Sequence, residues 1–468
     1  MEATGMTLGG ADRTEELDKF IFQRMAEAGV VGLSIATIKE GKLQYQKGFG
    51  FRDFNRGMSA TPETIYCIGS VTKSFTALAV MHLCEKGLLS LEDPIDRYIP
   101  FKARPMGEPI LIKHLLSHTS GISSLGYAEA TLAAITESSD LWLPISNARD
   151  LLVFMKGAEE WAISKPGQRH AYWNEGYILL GAIIGEVSGA DYAEYVKEHI
   201  LKPLHMDRST FLEDEVENDG DVAVPYITSR DGGKVATRYP YGQLISDGGL
   251  MSNTPDMVRL LKLFLSDGVS EDATIVGSES VRKMMEPKIR TVEEPIEGAG
   301  YSYYGYGLRI KTNFLGQNLI HHSGSVFGSS AYMCFIPDKK AGVVILANGG
   351  YWLEPMGEYA MALLLGRDPM EITSFRRGNI LDGLTGTYKT FRNTSTYRVT
   401  RSGGILQLES RFGERTFTTP LIPVDIEGET KQFKVYGIDT TTPIQFVQKN
   451  GGIFLIYERN MAKRVSGI

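Results

Sequence analysis

The chain has 468 residues, of which 43% are hydrophobic and 22% are charged, and its formal net charge at pH 7 is −7. This length exceeds what one hydrophobic core usually supports, so two or three structural units are expected. The negative charge gives no electrostatic reason to bind nucleic acid or an anionic membrane. No stretch reaches the ~18 apolar residues of a membrane span. We therefore expect a globular protein with neither nucleic acid nor a membrane as partner.

The N-terminus and the cysteines bear on the compartment. Residues 1–6 have neither a basic start nor an apolar core, so we expect no secretory signal. Cys67, Cys84 and Cys334 are too few and too scattered for a disulfide framework or a zinc site, and they are interpreted as buried, reduced thiols. These features predict a cytoplasmic protein, and we expect neither a metal ion nor a cofactor.

The first predicted elements are a helix and a hairpin. Asp12-x-x-Glu15 resembles a capping box, and the apolar stripe that follows it at helical spacing ends at Gly29. Two β-type runs, 31–39 and 43–50, are separated by Glu40-Gly41-Lys42 and predict a hairpin.

The rest of the first 370 residues is helical in the middle and β-type at the end. A helix is predicted to end at Gly121, and others cover residues 177–187 and 255–265. Short β-type runs begin at Tyr303, and an amphipathic helix over 355–365 follows them. The early hairpin and the late strands predict one sheet built from both ends of a domain, with a helical block inserted over about residues 70–290. The late β-type runs are 307–312, 318–322, 329–336 and 342–347.

The composition changes again after about residue 370. Residues 380–468 alternate apolar and polar side chains, as at 405–409 and 453–457, with glycine and proline between the runs. This pattern predicts a separate all-β domain, small enough for a closed barrel. The chain is thus predicted to have a first domain over 1–370 and a β-barrel over 380–468.

A Ser-x-x-Lys sequence opens a predicted helix. A spacing of three places Ser70 and Lys73 on one face, about 5–6 Å apart between Cβ atoms. Ser70 lies in the first turn, where its N–H has no intrahelical partner and could hold an oxyanion. A lysine one turn away lowers proton affinities around the hydroxyl. The motif is weak evidence alone, because a second copy, Ser280 to Lys283, lies in a charged run typical of a surface helix.

Tyr172-Trp173-Asn174 is the only Tyr-x-Asn sequence in the chain. If the backbone here is extended, both outer side chains leave on the same side. Nearby cations would favour the phenolate and make Tyr172 a proton acceptor for Ser70. Asn174 offers a donor and an acceptor for a substrate amide. The alternative is a tyrosine packed in a loop.

His322-Ser323-Gly324-Ser325 stands where one β-type run ends. Glycine in a strand permits close approach of another backbone, which would aim the Ser325 N–H into a cleft as an oxyanion donor. His322 could form a hydrogen bond with Tyr172 or with a substrate carboxylate. The alternative is a structural histidine.

These three motifs, in this order, resemble those of the serine β-lactamase and penicillin-binding-protein superfamily. Within it, the sequence is similar to the branch of class C β-lactamases, D-Ala-D-Ala carboxypeptidases, D-aminopeptidases and related esterases. The resemblance covers about residues 15–366 and extends to the flanking stretches 115–121, 248–252 and 304–308.

The resemblance implies an α+β, β-lactamase/transpeptidase-like fold and an acyl-enzyme mechanism. Ser70 would be the nucleophile, and Lys73 and Tyr172 would share the role of general base, with the first proton acceptor left open. Asn174 would orient the substrate. The oxyanion hole would consist of the Ser70 and Ser325 amides, and Gly324 would allow the strand to approach the helix closely.

The sequence also departs from the family pattern. It lacks the Ser-Asp-Asn and Lys-Thr-Gly motifs, and His322 stands where many relatives have a lysine that binds the substrate carboxylate. Histidine is a poorer permanent cation at pH 7, and here it resembles the D-aminopeptidases and esterases. We expect a peptidase or amidase acting on small peptides that can contain D-amino acids. The alternatives are a carboxylesterase or weak β-lactamase, and a catalytically idle assembly or binding protein.

The C-terminal domain is similar to the lipocalin-like barrel of an archaeal self-compartmentalising serine peptidase of the same superfamily, at residues 384–388 and 454–459. There the barrel builds an octamer, so the resemblance implies a homo-oligomer, with an octamer as one form. The alternative is a barrel that covers one side of the cleft. Candidates for the walls of a substrate pocket are Trp142, Trp161, Tyr239 and Tyr241, with core packing as the alternative.

Overall fold

The computed structural model describes residues 10–135, 145–229, 231–239, 242, 245–269, 274–350, 352–412 and 415–467. The chain divides into two compact units, Met1–Asp368 and Pro369–Ile468. Among the described helices, none combines the length and the hydropathy that a membrane span requires.

The first unit is built on a nine-stranded antiparallel sheet whose strands come from both ends of the unit. The strands of this unit are β1 Gly32–Lys39, β2 Lys42–Asp53, β3 Met58–Ser59, β4 Tyr66–Cys67, β5 Tyr226–Thr228, β6 Lys234–Ala236, β7 Met251–Ser252, β8 Ile289–Arg290, β9 Ser302–Tyr304, β10 Arg309–Phe314, β11 Gln317–Val326, β12 Ser329–Ile336 and β13 Ala341–Asn348. The order in the sheet is β3-β2-β1-β13-β12-β11-β10-β9-β8. The first strand pairs with the last, from Gly32 opposite Asn348 to Lys39 opposite Ala341. This pairing confirms the predicted sheet.

Helices cover both faces of this sheet. The helices of the unit are α1 Ala11–Ala28, α2 Thr72–Glu85, α3 Ile112–Leu116, α4 Tyr127–Ile135, α5 Ala148–Phe154, α6 Asn174–Ser188, α7 Tyr192–Val196, α8 Glu213–Glu217, α9 Thr254–Leu265, α10 Ser278–Met285 and α11 Glu354–Leu364. Phe335 of β12 stacks on Phe264 of α9, whereas a methyl group on Gly357 of α11 would touch the ring of Tyr332. Residues 332 and 335 leave opposite faces of the strand. Strands β12 and β13 are therefore buried along their whole length.

Helix α2 lies in the centre of the first unit. Its residues from Thr72 to Met81 are all buried. A helix that is buried all round needs apolar residues on every face, which explains the run from Phe75 to Val80. Such a helix is a rigid support for the residues at its start.

Two predicted helix boundaries are wrong. Helix α1 is capped by Gly10 without a side-chain hydrogen bond, so Asp12 lies inside the first turn and forms no capping box. Helix α3 ends at Leu116, well before Gly121. It ends there because His118 adopts a left-handed conformation, with φ of 54°, that turns the chain away from the helix axis.

The second unit begins with helix α12, Thr373–Gly383, and continues as a closed eight-stranded barrel. Its strands are β14 Gly386–Thr390, β15 Thr396–Ser402, β16 Ile405–Phe412, β17 Arg415–Asp425, β18 Lys431–Tyr436, β19 Thr441–Lys449, β20 Gly452–Tyr457 and β21 Asn460–Ser466. Pairing of β14 with β21 closes the barrel, as predicted. The barrel has its own hydrophobic core, which includes Tyr388, Leu406, Phe433 and Phe446.

Candidate active site

Ser70 lies in a short 3₁₀ turn, Gly69–Val71, that runs directly into α2. Two hydrogen bonds to Leu250 fix the turn in place. Ile68 N–H donates to Leu250 O at 2.9 Å, and Leu250 N–H donates to Thr72 Oγ1 at 3.1 Å. Ser70 is half-buried, whereas Lys73 is completely buried. The hydroxyl is thus accessible, and the lysine below it is shielded from water.

The Lys73 amine contacts three oxygen atoms. Its Nζ lies 3.0 Å from Ser70 Oγ, 2.9 Å from Asn174 Oδ1 and 2.7 Å from Asp247 O. An ammonium group would donate to all three oxygens. A neutral amine would donate to the two carbonyl oxygens and accept from the Ser70 hydroxyl. Both protonation states fit without rearrangement, so a proton can pass between Ser70 and Lys73.

Tyr172 and Asn174 approach Lys73 from the same side. Trp173 between them is extended, with φ of −135° and ψ of 98°, so its neighbours' side chains leave in one direction. The Tyr172 ring centroid lies 5.0 Å from Lys73 Nζ. This arrangement is the one the sequence predicts for an extended backbone.

A second cation, Arg309, also lies beside Tyr172. Its Cζ atom is 5.7 Å from the ring centroid of Tyr172 and 5.7 Å from that of Tyr304. The side chain is partly exposed and makes no ion pair or hydrogen bond within the described part of the chain. The sequence pattern gives no sign of Arg309, because its position appears only when β10 pairs with β11 and places it opposite His321.

His322 does not have the expected partners. Its Nδ1 lies 2.7 Å from Ser323 O and its Nε2 lies 2.8 Å from Tyr304 Oη. Because a carbonyl only accepts, Nδ1 carries the hydrogen and Nε2 accepts from the Tyr304 hydroxyl. Burial, reinforced by the charges of Arg309 and Lys73, holds the pKa of His322 well below its ordinary value. The predicted hydrogen bond to Tyr172 or to a substrate carboxylate is therefore wrong, since His322 is a buried, neutral residue whose ring nitrogens are both occupied.

Gly324 allows strand β11 to touch the turn that carries Ser70. A Cβ atom on Gly324 would lie only 1.9 Å from Ile68 O and 2.9 Å from Ser70 N. Likewise, a Cβ atom on Gly69 would lie 2.6 Å from Ser325 N. The two backbones are thus in direct contact, which brings the Ser70 and Ser325 amides close to each other.

The flanking stretch 304–308 also packs against α2. Ser74 Oγ donates to Gly307 O at 2.8 Å, and a Cβ atom on Gly307 would lie 2.7 Å from Lys73 O. Any larger residue at 307 would push the strand region away from the helix. This stretch therefore fixes the first turns of α2 relative to the sheet.

The candidate residues for the walls of a substrate pocket differ in their positions. Tyr239 is buried and donates to Ala223 O at 2.8 Å, so it belongs to the core. Trp161 is 65% exposed and lines a cavity of about 270 Å³ with Leu125, Phe154 and Met155. Trp142 and Tyr241 lie outside the described residues. Within the described ranges, no cluster of three or more His, Cys, Asp or Glu residues is arranged to hold a metal ion.

Comparisons with known proteins give a family match for each of the two units. Residues 17–367 match the family described as Beta-lactamase, and residues 369–462 match the Pab87 octamerisation domain. The structure is similar to that of the octameric penicillin-binding protein homologue from Pyrococcus abyssi, with a TM-score of 0.89 and 42% identity, over 96% of this chain and 100% of that one. A penicillin-binding protein from Bacillus halodurans has a similar fold, with a TM-score of 0.59 and 24% identity over 74% of this chain and 98% of that one.

Curated relatives match about 70% of the chain. Protein flp of Staphylococcus aureus (strain MW2) is 28% identical over 342 residues, which are 72% of this chain. The match spans 63% of the length of Protein flp. A beta-lactamase of Yersinia enterocolitica is 24% identical over 70% of this chain and 84% of its own length. The chain therefore belongs to the β-lactamase family, within the superfamily of β-lactamases and penicillin-binding proteins.

Proposed function

We propose that this protein is a serine hydrolase that forms an acyl-enzyme at Ser70 and acts on small peptides or amides, including those with D-amino acids. The observation that carries the proposal is the 3.0 Å contact between the buried Lys73 amine and the Ser70 hydroxyl. A buried amine aimed at a half-exposed hydroxyl is the arrangement that activates a serine nucleophile.

The reaction has two steps. Ser70 Oγ attacks the substrate carbonyl carbon, and its proton passes to Lys73 or Tyr172 and then to the leaving amine. The negative charge on the carbonyl oxygen is stabilised by the amides of Ser70 and Ser325. Water then attacks the resulting ester, which releases the acid and returns the proton to Ser70. Tyr172 lies beside Lys73, with 5.0 Å between Lys73 Nζ and the Tyr172 ring centroid, and this proximity supports a role for its phenol in the proton transfer.

Asn174 and Arg309 bear on substrate choice. The Asn174 oxygen accepts from Lys73, which leaves its amide N–H groups for a substrate carbonyl. Arg309 is a partly exposed guanidinium that forms no ion pair within 4 Å in the described part of the chain. Its charge acts on the Glu293 carboxyl, whose pKa it helps to lower, and His322 is neutral. A planar guanidinium suits bidentate binding of a carboxylate. Arg309 is therefore our candidate partner for a free carboxylate of a peptide substrate.

Turnover assays test the proposed activity. We expect hydrolysis of D-amino-acid p-nitroanilides and short peptides to exceed that of a cephalosporin, with weak hydrolysis of short acyl esters. Activity on esters alone would reject the peptidase proposal. A fluorophosphonate should label the protein but not Ser70→Ala, and absence of label on the unmodified protein would favour an idle assembly protein.

Arg309→Met tests the carboxylate contact. It should lower kcat/KM about tenfold or more on peptides with a free C-terminal carboxylate, because charged hydrogen bonds contribute about 1.5–3 kcal/mol. The C-terminally amidated peptides serve as the matched control and should lose much less. Equal losses on both series would remove Arg309 from substrate recognition.

We further propose that the protein assembles through its C-terminal barrel into a homo-oligomer, with an octamer as the expected form. Support comes from the match of residues 369–462 to an octamerisation domain and from the octameric Pyrococcus abyssi homologue. Sedimentation of the full chain should give a mass several times that of the 51.7 kDa subunit, and removal of residues 369–468 should lower the assembly state. A monomeric full chain would contradict this proposal.

A further inference from the structure

His118 is a buried residue next to Tyr172 that has no part in the mechanism above. It follows helix α3 in a left-handed conformation and is only 1% exposed. Its carbonyl oxygen accepts from Ala171 N–H at 2.8 Å, and its Nδ1 accepts from Trp173 N–H at 3.0 Å. One residue therefore holds the backbone on both sides of Tyr172.

The imidazole of His118 also packs against the Tyr172 side chain. The two ring centroids are 4.1 Å apart, with an angle of 34° between the ring planes. The same imidazole contacts the ring of Tyr304 at 4.6 Å and that of Tyr177 at 5.0 Å. His118 thus links the Tyr172 ring to a buried aromatic cluster, and this link restricts the directions in which the phenol can point.

The contacts define the protonation state of His118. Since Nδ1 accepts a hydrogen bond, the hydrogen of the neutral ring is on Nε2, which is buried and has no hydrogen-bond partner among the described residues. Protonation would place a second hydrogen against Trp173 N–H and would break this bond. Burial, followed by the charge of Lys73, holds the pKa of His118 well below its ordinary value.

We propose that His118, as a neutral imidazole, is a positioning residue that fixes the Tyr172 phenol for proton transfer to and from Ser70. The inference rests on the proposed acyl-enzyme function. Without the Nδ1 acceptor, the buried Trp173 N–H loses its partner and the segment 171–173 can shift. A misplacement of about 1 Å lowers the rate of a catalysed reaction about 10²-fold.

Two variants of His118 separate positioning from simple packing. In H118N, the side-chain oxygen can occupy the place of Nδ1, and asparagine tolerates the left-handed backbone. In H118Q, the polar atoms lie too far along the side chain to replace Nδ1. We expect H118Q to lower kcat about 10²-fold with little change in KM, and H118N to keep most of the activity. H118M, which also lacks the acceptor, replaces H118Q if that variant does not fold.

A double-mutant cycle with Tyr172→Phe tests whether His118 acts through the phenol. If it does, H118Q should lower kcat in the unmodified protein but should have almost no further effect in the Tyr172→Phe background. The same factor in both backgrounds would overturn the inference, as would wild-type kcat in H118Q or equal losses in H118N and H118Q. If the unmodified protein shows no turnover, the proposed function itself is wrong. If the unmodified protein is active but the His118 variants do not behave as expected, only the proposed role of His118 is wrong.

Discussion

The substitution Gly324→Ala tests the contact between strand β11 and the turn that carries Ser70, because a methyl group at this position would force the two backbones apart. The new methyl carbon would lie 1.9 Å from Ile68 O. Non-bonded atoms prefer separations of about 3.5 Å, so the two backbones must move apart by more than about 1 Å. This movement takes the Ser325 amide away from the Ser70 amide, with which we propose that it forms the oxyanion hole.

The size of the effect follows from the proposed role of these two amides. Loss of one oxyanion donor lowers kcat about 10²–10³-fold, and overpacking of a close contact destabilises a protein by about 1–3 kcal/mol. We therefore expect Gly324→Ala to slow acylation by a fluorophosphonate and hydrolysis of an ester by at least about 10²-fold. The melting temperature should fall by only a few degrees in a unit of this size.

Gly220→Ala is the matched control. Gly220 lies in the same unit, is exposed and has no neighbouring atom within 4 Å of a new Cβ, so this variant should keep the acylation rate. If Gly324→Ala is acylated as fast as the unmodified protein and melts at the same temperature, the two backbones are not in contact and the proposed oxyanion hole does not exist.

Other predictions concern the amine, the amide and the buried histidines. Lys73→Met should abolish labelling and lower kcat about 10³-fold while the protein remains folded, and turnover near the original rate would exclude Lys73 from proton transfer. Asn174→Ala removes an acceptor from a buried amine and a donor from the cleft, so both kcat and KM should worsen in steady-state assays; an unchanged KM would argue against substrate contact. His118, His321 and His322 have pKa values well below their ordinary value because of burial, so below about pH 6.5 the unfolded chain binds protons that the folded chain does not. The free energy of unfolding should therefore fall with decreasing pH, by up to about 4 kcal/mol per pH unit from these three groups. Calorimetry from pH 7 to pH 5 measures this slope, and constant stability would contradict the burial of neutral imidazoles.

Features of the fold that depend on local pattern could be predicted from the sequence. The hairpin of β1 and β2 follows from two β-type runs around Gly41, whose φ of 75° only glycine adopts easily. The Ser-x-x-Lys spacing placed Ser70 above Lys73, because three residues make almost one helical turn. The glycine at 324 indicated a close backbone approach, and the contact with Ile68 is the reason.

Features that depend on burial and strand pairing could not be predicted. A lone histidine in a β-type run does not reveal whether its ring meets solvent, and His322 was expected to face a substrate although Tyr304 and Ser323 occupy its nitrogens. The register in which β10 pairs with β11 places Arg309 beside Tyr172, and the sequence does not show this register. In the sequence, His118 is only a polar residue that interrupts an apolar helical pattern. Its left-handed backbone conformation, which turns the chain towards Tyr172, is visible only in the structure.

The central claim is that Ser70 forms a covalent acyl-enzyme. Mass spectrometry of the intact protein after reaction with an activated ester or a fluorophosphonate tests it most directly, with peptide mapping to locate the adduct. We predict one adduct per chain, located on Ser70 and absent from Ser70→Ala and Lys73→Met. An adduct on another residue, or none in the unmodified protein, would contradict the account.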